Sequence, residues 1–362
     1  MPKPIDMRWL GIMTGTSLDA IDLALVRFQG RPGSWTWTWE AASAMPMPEA
    51  LRECLHPDPE LNFHEVIRHE KQYTEAIAGC VRRFFQDQGI DEKRAVEGIG
   101  FHGQTWWHAP DEGLSIQLGD GARLAVATKL PVVCDFRRGD LAAGGQGAPL
   151  VPLVDEQLFG AFGACLNLGG IANLSWREGK ERKAADLSPC NGLLNALAAR
   201  EGLDRDRDGQ LSASGNPIDA LLDRWNTHPF YQKPAPKSLD QAFAREALLA
   251  RAPQAASTAD LLQTALQHIA CQVATWINSF VAAEDSVLIT GGGAHHPGLV
   301  AVLRQQCRPS LHIPDTKTVD YKEALAFAFL GMLRYLSEPN ILASATGAGH
   351  RLSAGALYLP PL

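Results

Sequence analysis

A chain of 362 residues, 46% of them hydrophobic and 20% charged, has enough material for two domains with separate cores and too much for one of typical size. Its net charge of −7 supplies no basic stripe, which argues against nucleic acid or an anionic membrane surface as the main partner. Seven cysteines without a Cys-x-x-Cys pair fit reduced thiols better than a disulfide framework or a zinc site, no stretch approaches the roughly 18 to 20 apolar residues of a membrane span, and Met1-Pro2-Lys3-Pro4-Ile5-Asp6 has no signal-peptide pattern, so a cytoplasmic protein is expected.

Residues 9–13 read as a buried strand, Thr14-Gly15-Thr16-Ser17 as a turn, and residues 21–28 as a second strand, giving a hairpin with a small polar tip. Tryptophan alternates with threonine over residues 35–39, which suits a third antiparallel strand with one face covered. A helical stretch is expected over 62–88, then an apolar strand over 96–101 that ends in His102-Gly103-Gln104-Thr105; open sheets place ligands at such strand ends. Strands at 115–118 and 131–134 follow, the second ending in Asp135-Phe136-Arg137, and Gly144-Gly145-Gln146-Gly147-Ala148-Pro149 breaks the chain.

After a helix at 150–159 the opening pattern returns: a strand at 164–168, the turn Gly169-Gly170 and a strand at 171–176, a weak internal repeat. Helices are expected from 191 to 281, interrupted at 203–215 and 229–238. A buried strand at 286–290 then delivers Gly291-Gly292-Gly293 to a helix starting near Pro297, and a last helix spans 322–336. This alternation indicates an α/β class. Domain boundaries are expected to give an N-terminal domain of residues 1–138, completed by 338–362, and a C-terminal domain of residues 139–337.

Three glycine turns at strand ends, at Gly15, Gly169-Gly170 and Gly291 to Gly293, point to phosphate, because a backbone without side chains brings N–H groups close to phosphate oxygens. Neither the Walker P-loop nor the dinucleotide Gly-x-Gly-x-x-Gly pattern is present. The first turn carries Thr14, Thr16, Ser17, Asp19 and Asp22, a set able to hold phosphate together with hydrated Mg²⁺. Asp186, shortly before the helix start Pro189-Cys190-Asn191, is the best candidate for a base; the plain alternative is a turn aspartate. His102 reads equally as a satisfied strand-end histidine, and Arg137-Arg138 as either a carboxylate-binding pair or a solvated one.

Taken together, Gly11-Ile-Met-Thr-Gly-Thr-Ser-Leu-Asp-Ala-Ile-Asp22, His102-Gly-Gln-Thr105, Gln117-Leu-Gly-Asp120, Asp135-Phe-Arg137, Ala142-Ala-Gly-Gly-Gln-Gly-Ala-Pro-Leu-Val-Pro152, Asn167-Leu-Gly-Gly-Ile-Ala-Asn-Leu174, Gly291-Gly-Gly-Ala-His295 and Glu323-Ala-Leu-Ala-Phe-Ala328 resemble the anhydro-N-acetylmuramic acid kinase family. The segments keep the family's order across nearly the whole chain. The resemblance implies two actin/hexokinase-like (ribonuclease H-like) α/β domains with mixed sheets flanked by helices, which close over ATP and Mg²⁺. It implies water-assisted opening of the 1,6-anhydro ring with phosphorylation of O6, giving N-acetylmuramic acid 6-phosphate and ADP in cell-wall recycling, and a homodimer.

Carried over residue by residue, Gly15, Thr16, Ser17, Leu18, Asp19, Ala20, Ile21 and Asp22 form the first phosphate loop, with Asp19 or Asp22 near Mg²⁺. Asn167, Gly169 and Gly170 belong to the second phosphate loop, and Gly291, Gly292 and Gly293 lie on the nucleoside side. Asp186 is implied as the general base. His102, Gln104, Arg137, Gly145, Gln146, Gly147 and Glu323 are implied to line the sugar. The chain departs from the family pattern at Asp186-Leu-Ser-Pro-Cys-Asn191, which lacks the usual threonine and both glycines, at Pro234-Ala-Pro-Lys-Ser-Leu-Asp-Gln-Ala242, and at Phe101. A conventional sugar kinase and a non-catalytic ATP-binding scaffold are the alternative readings.

Overall fold

The apolar run at 9–13 becomes the middle of strand β1 (Ile5–Thr14), whose central residues are buried on both faces. It pairs antiparallel with β2 (Ala20–Arg31), and β2 with β3 (Ser34–Pro46). In the computed structural model, residues 4–15, 18, 20–55, 62–90, 96–239 and 242–361 are described. Contacts divide the chain into two compact units, Met1–Leu158 with Tyr321–Leu362, and Phe159–Asp320.

In the first unit β1 runs parallel to β4 (Gly98–Phe101), β4 parallel to β7 (Val132–Cys134), and β13 (Ala356–Tyr358) closes the sheet antiparallel to β7. The strand order is β13-β7-β4-β1-β2-β3. The second unit starts the same pattern again with β8 (Ala164–Leu168), β9 (Ile171–Glu178) and β10 (Glu181–Pro189), antiparallel in sequence, and then β11 (Ser286–Thr290) and β12 (Ser310–His312), parallel to β8 and to β11. Its order is β10-β9-β8-β11-β12. Apart from the added β13, both sheets read third, second, first, fourth, fifth, with the same strand senses. The weak repeat in the sequence is therefore one topology built twice, and the fold is α/β of the ribonuclease H-like, actin/hexokinase-like class.

Helix formation follows local chemistry. The helix Phe63–Asp87 starts at a reciprocal capping box, in which Asn62 accepts from the Glu65 N–H and Glu65 accepts from the Asn62 N–H, both at 3.1 Å. Three elements differ from the sequence reading. Residues 104–109 form a strand, β5, paired with β6 (Leu114–Leu118); a register irregularity between Thr105 and Trp107 breaks its period of two, which hid it. Gly121–Thr128 is a short helix capped by Asp120, and Phe136–Ala142 is another with Gly139 inside it, too short and glycine-bearing to read as helices. From 191 to 281 the chain is less helical than expected: α-helices cover Asn191–Ala198, Asp219–Asn226 and Thr258–Phe280, and much of the remainder is single turns.

Each unit has its own core. In the second, Leu166, Leu168, Leu174 and Trp176 of the sheet meet Leu261, Ala265, Ile269 and Val273 of the helix Thr258–Phe280. In the first, the helix Thr316–Tyr335 lies so close to β1 and β4 that only glycine fits beneath it. A Cβ on Gly11 would stand 1.7 Å from the Ala324 carbonyl oxygen, and one on Gly100 1.9 Å from that of Phe327. The tryptophans of β3 split: Trp35 is buried edge-on against Phe329, while Trp37 and Trp39 are half-buried and meet edge to face at 5.3 Å. No helix among the described residues is long and apolar enough to cross a membrane.

Candidate active site

The first unit gathers one set of candidate residues at the ends of β1, β4 and β7. Gly15 accepts from the Leu18 N–H at 3.1 Å, and Leu18 takes a left-handed φ of 56°. Thr16, Ser17 and Asp19 lie outside the described residues. Ala20, Ile21 and Asp22 open β2, with Asp22 half-buried opposite Met13. Thr14 is buried and hydrogen-bonds the Tyr73 hydroxyl at 2.6 Å.

His102 follows β4 directly, 4% exposed, with its ring on Phe327 and its Nε2 3.2 Å from Arg137 Nη2. A guanidinium can only donate, so Nε2 accepts and the imidazole proton sits on Nδ1. Burial, reinforced by the Arg137 charge, pushes His102 down to about 3, which keeps the ring neutral. Arg137 is itself brought down to about 10 by burial, opposed by the charge of Glu323. The two arginines thus part company: Arg137 turns inward, and Arg138 is exposed on Asp135 at 2.7 Å.

Several buried polar atoms around this pair have no hydrogen-bond partner among the described residues: Arg137 Nε, Gln104 Oε1, Thr105 Oγ1 and Gln117 Oε1. Buried polar groups are ordinarily satisfied, so an orphaned set on neighbouring elements marks a place for a polar ligand. A cavity of about 180 Å³ adjoins them, lined by His102, Gly103 and Gln117 together with Asp120 and Asp135. Gly145, Gln146 and Gly147 are fixed by Asp140, a fully buried aspartate absent from the sequence reading. Its carboxylate accepts from the Gly147 N–H at 2.7 Å and the Thr346 hydroxyl at 2.7 Å, its carbonyl accepts from the Gly145 N–H at 2.9 Å, and Gln146 N–H donates to the Thr346 carbonyl at 2.9 Å.

The second unit brings together Asn167, the Gly169-Gly170 turn, Asn191 and Gly291 to Gly293. The N–H groups of Cys190 and Gly192 donate to the Gly170 carbonyl, that of Asn191 to Gly169, and the Asn191 side chain reaches the Leu168 carbonyl at 3.0 Å. Gly291 has φ of +84°, and a Cβ there would stand 2.4 Å from Asn167 Oδ1, so this crossing of three loops tolerates no side chain.

Asp186 lies within β10 opposite Asn173, at a bulge whose register shifts before Ser188. Its N–H donates to the Lys237 carbonyl at 3.0 Å, and its Oδ2 accepts from the Leu239 N–H at 2.9 Å. Burial pushes the carboxyl up to about 6, against the Leu239 hydrogen bond and the Lys237 charge. The sequence reading ascribed a ready, ionised Asp186 to the following helix end; the largest influence in the structure is desolvation. Lys237 was also missed as a functional candidate, and nothing in its local pattern beyond the two preceding prolines, Pro234 and Pro236, would have found it. Among the described residues no cluster of three or more metal-ligating side chains occurs.

The family model described as anhydro-N-acetylmuramic acid kinase matches residues 7–360. A curated protein of that name from Prochlorococcus marinus (strain MIT 9303) is 35% identical over 372 residues, covering 94% of this chain and 97% of the relative. Another from Bordetella parapertussis is 37% identical over 370 residues, covering 97% and 95%. Among solved structures, component A of (R)-2-hydroxyglutaryl-CoA dehydratase from Acidaminococcus fermentans is similar at 12% identity and a TM-score of 0.48, over 90% of this chain and 97% of that one. With a match from residue 7 to residue 360 and more than a third of positions identical over full-length relatives, the chain belongs to the anhydro-N-acetylmuramic acid kinase family.

Proposed function

We propose that this protein uses ATP to phosphorylate O6 of 1,6-anhydro-N-acetylmuramic acid while water opens the anhydro bridge. The observation that carries the reading is Asp186: a half-buried carboxylate, raised to about 6, with one oxygen held by a backbone N–H, in the sheet whose β8 and β9 are joined by the Gly169-Gly170 turn. A carboxylate that titrates near 6 is ionised at neutral pH yet more basic than a solvated one, which suits general-base work. Asp186 takes a proton from water, the water oxygen bonds to C1 as the C1–O6 bond breaks, and O6 accepts the γ-phosphoryl group as its bond to the β-phosphate oxygen breaks and ADP leaves.

Backbone at Gly15, Asn167 to Gly170 and Gly291 to Gly293 binds the nucleotide's phosphates and nucleoside. At Gly291 and Gly293 a Cβ would stand 2.4 Å from Asn167 Oδ1 and 2.7 Å from the Leu168 Cβ, which fits backbone presented bare to a ligand. Asp22 is a described carboxylate that would take part in holding hydrated Mg²⁺, which needs only one or two protein carboxylates, and Asp19 is the other candidate; the ion would neutralise charge on the phosphates. Arg137, His102, Gln104, Gly145 to Gly147 and Glu323 orient the sugar. The orphaned buried atoms there support that role, since sugar hydroxyls, amide and carboxylate supply complementary donors and acceptors.

We further take the protein to act in the cytoplasm as a homodimer, which sedimentation would test. Its working domains are taken to follow the compact units, residues 1–158 with 321–362 and residues 159–320, in place of the boundaries at 138 and 337 expected from the sequence, because the segment 321–335 packs on β1 and β4.

Turnover of the purified anhydro sugar with Mg-ATP in ¹⁸O-water tests the reaction. Label at C1 of the phosphorylated product is expected; phosphorylated product without label would make this a conventional sugar kinase, and no sugar-dependent ADP would leave a nucleotide-binding scaffold. Arg137→Met should raise KM for the sugar by roughly 10- to 100-fold, the loss of a charge-assisted hydrogen bond, with KM for ATP within about twofold. Equal effects on both substrates would remove Arg137 from the sugar side.

A further inference from the structure

Lys237 is 7% exposed, and its Nζ has no hydrogen-bond partner among the described residues. The ammonium instead sits over aromatic faces, 4.5 Å from the ring centre of Phe230, 4.7 Å from that of Trp276 and 6.0 Å from that of Tyr231. A buried, unbonded ammonium is unfavourable, and cation–π attraction offsets only part of that loss. For packing alone, a methionine of similar length would serve as well or better. The charge therefore needs another explanation.

That explanation lies one backbone clamp away. Lys237 accepts the Asp186 N–H at its carbonyl, and two residues on, Leu239 donates to the Asp186 carboxylate. We infer that Lys237 is the positioning residue of Asp186, a caged ammonium whose fixed charge keeps that carboxylate ionised against its own burial. The inference rests on the reading of Asp186 as the base.

The electrostatic surroundings are simple. Among the described residues, Lys237 is the charged group that acts on Asp186, and Asp186 and Lys233 are those that act on Lys237. The other facing groups among the described residues are uncharged: Asn173 across the sheet, and the cage of Phe230, Trp276 and Tyr231, whose phenol burial keeps protonated. Burial lowers Lys237 to about 8 and raises Asp186 to about 6, so between those values both are ions and each supports the other's charge. The aromatic cage serves this arrangement because it holds the ammonium in place without a hydrogen-bonding partner that would compete for its charge.

The test is NMR titration of the full-length protein, with ¹³C at aspartate carboxyls and lysine Cε, and Asp186→Asn and Lys237→Met assigning the two signals. Lys237→Met should melt at or above the wild-type temperature, while Asp186 titrates about one unit higher, about a tenfold drop in its ionisation constant. Its kcat deficit should shrink as pH rises, and Lys237→Arg, which keeps the charge, should restore the wild-type midpoint. Reciprocally, Asp186→Asn should lower the Lys237 midpoint. An Asp186 midpoint unchanged in folded Lys237→Met overturns the inference, and so does an unmoved Lys237 midpoint in Asp186→Asn, which decides the matter even if Lys237→Met does not fold. The two NMR midpoints do not use activity, so they stand apart from whether Asp186→Asn loses turnover.

Discussion

Asp186→Asn is expected to lower turnover by about 10²- to 10⁴-fold while ATP affinity stays within about twofold, because the amide keeps the shape and the Leu239 hydrogen bond but cannot take a proton. Wild-type kcat should fall as pH drops through about 6, where Asp186 becomes protonated, and that limb should vanish in the variant.

The same substitution has an opposite effect on stability. A carboxyl raised from 3.8 to about 6 by folding favours its neutral form in the folded state, so its contribution is fully present below about 4 and is lost as pH rises through about 6. Asp186→Asn should therefore be more stable than wild type above pH 6, on the order of 1–3 kcal/mol, and the gap should close below pH 4. Thermal melts at pH 4 and 7.5 with turnover assays check both. Near-normal turnover would show that another group is the base.

Gly100→Ala is expected to destabilise the first unit by at least about 3 kcal/mol, at the upper end of overpacking effects. The new Cβ would lie 1.9 Å from the Phe327 carbonyl oxygen and 2.6 Å from its carbon, both backbone atoms of the helix Thr316–Tyr335. A flexible side chain could swing aside; a helix backbone has to lift from the sheet. Gly11, the neighbour of Gly100 in the parallel pairing of β1 with β4, is under the same constraint, 1.7 Å from the Ala324 oxygen, so the helix cannot settle by tilting toward it.

A melting temperature lower by roughly 6–12 °C follows from that free energy for a unit of this size. Gly79→Ala is the control. It lies mid-helix in Phe63–Asp87 with nothing nearer its Cβ than an Arg82 nitrogen at 4.0 Å, and it should stabilise by about 0.5–1 kcal/mol. Gly100→Ala melting within 2 °C of wild type would disprove the close packing.

What could be read before folding was whatever is encoded by neighbours in the chain. The strand at 164–168, the turn at Gly169-Gly170 and the strand at 286–290 were legible because apolar runs and glycines adjoin in sequence, and the structure has β8 and β11 with those limits. Motif order over the whole chain carried the family. By contrast β5 was hidden by its irregular register, and the helix Phe136–Ala142 by its length and its glycine.

The sequence by itself determined the α/β class, the doubled strand–turn–strand pattern, the glycine loops and Asp186 as a candidate. Tertiary structure decided the chemistry those residues can do. It set Lys237 and Leu239 against Asp186, turned Arg137 toward His102 while leaving Arg138 on the surface, and placed Asp140 under the Gly145–Gly147 loop. The physical reason is common to all three. Desolvation and hydrogen-bond partnership depend on which distant segments pack around a group, and local pattern reports on neither.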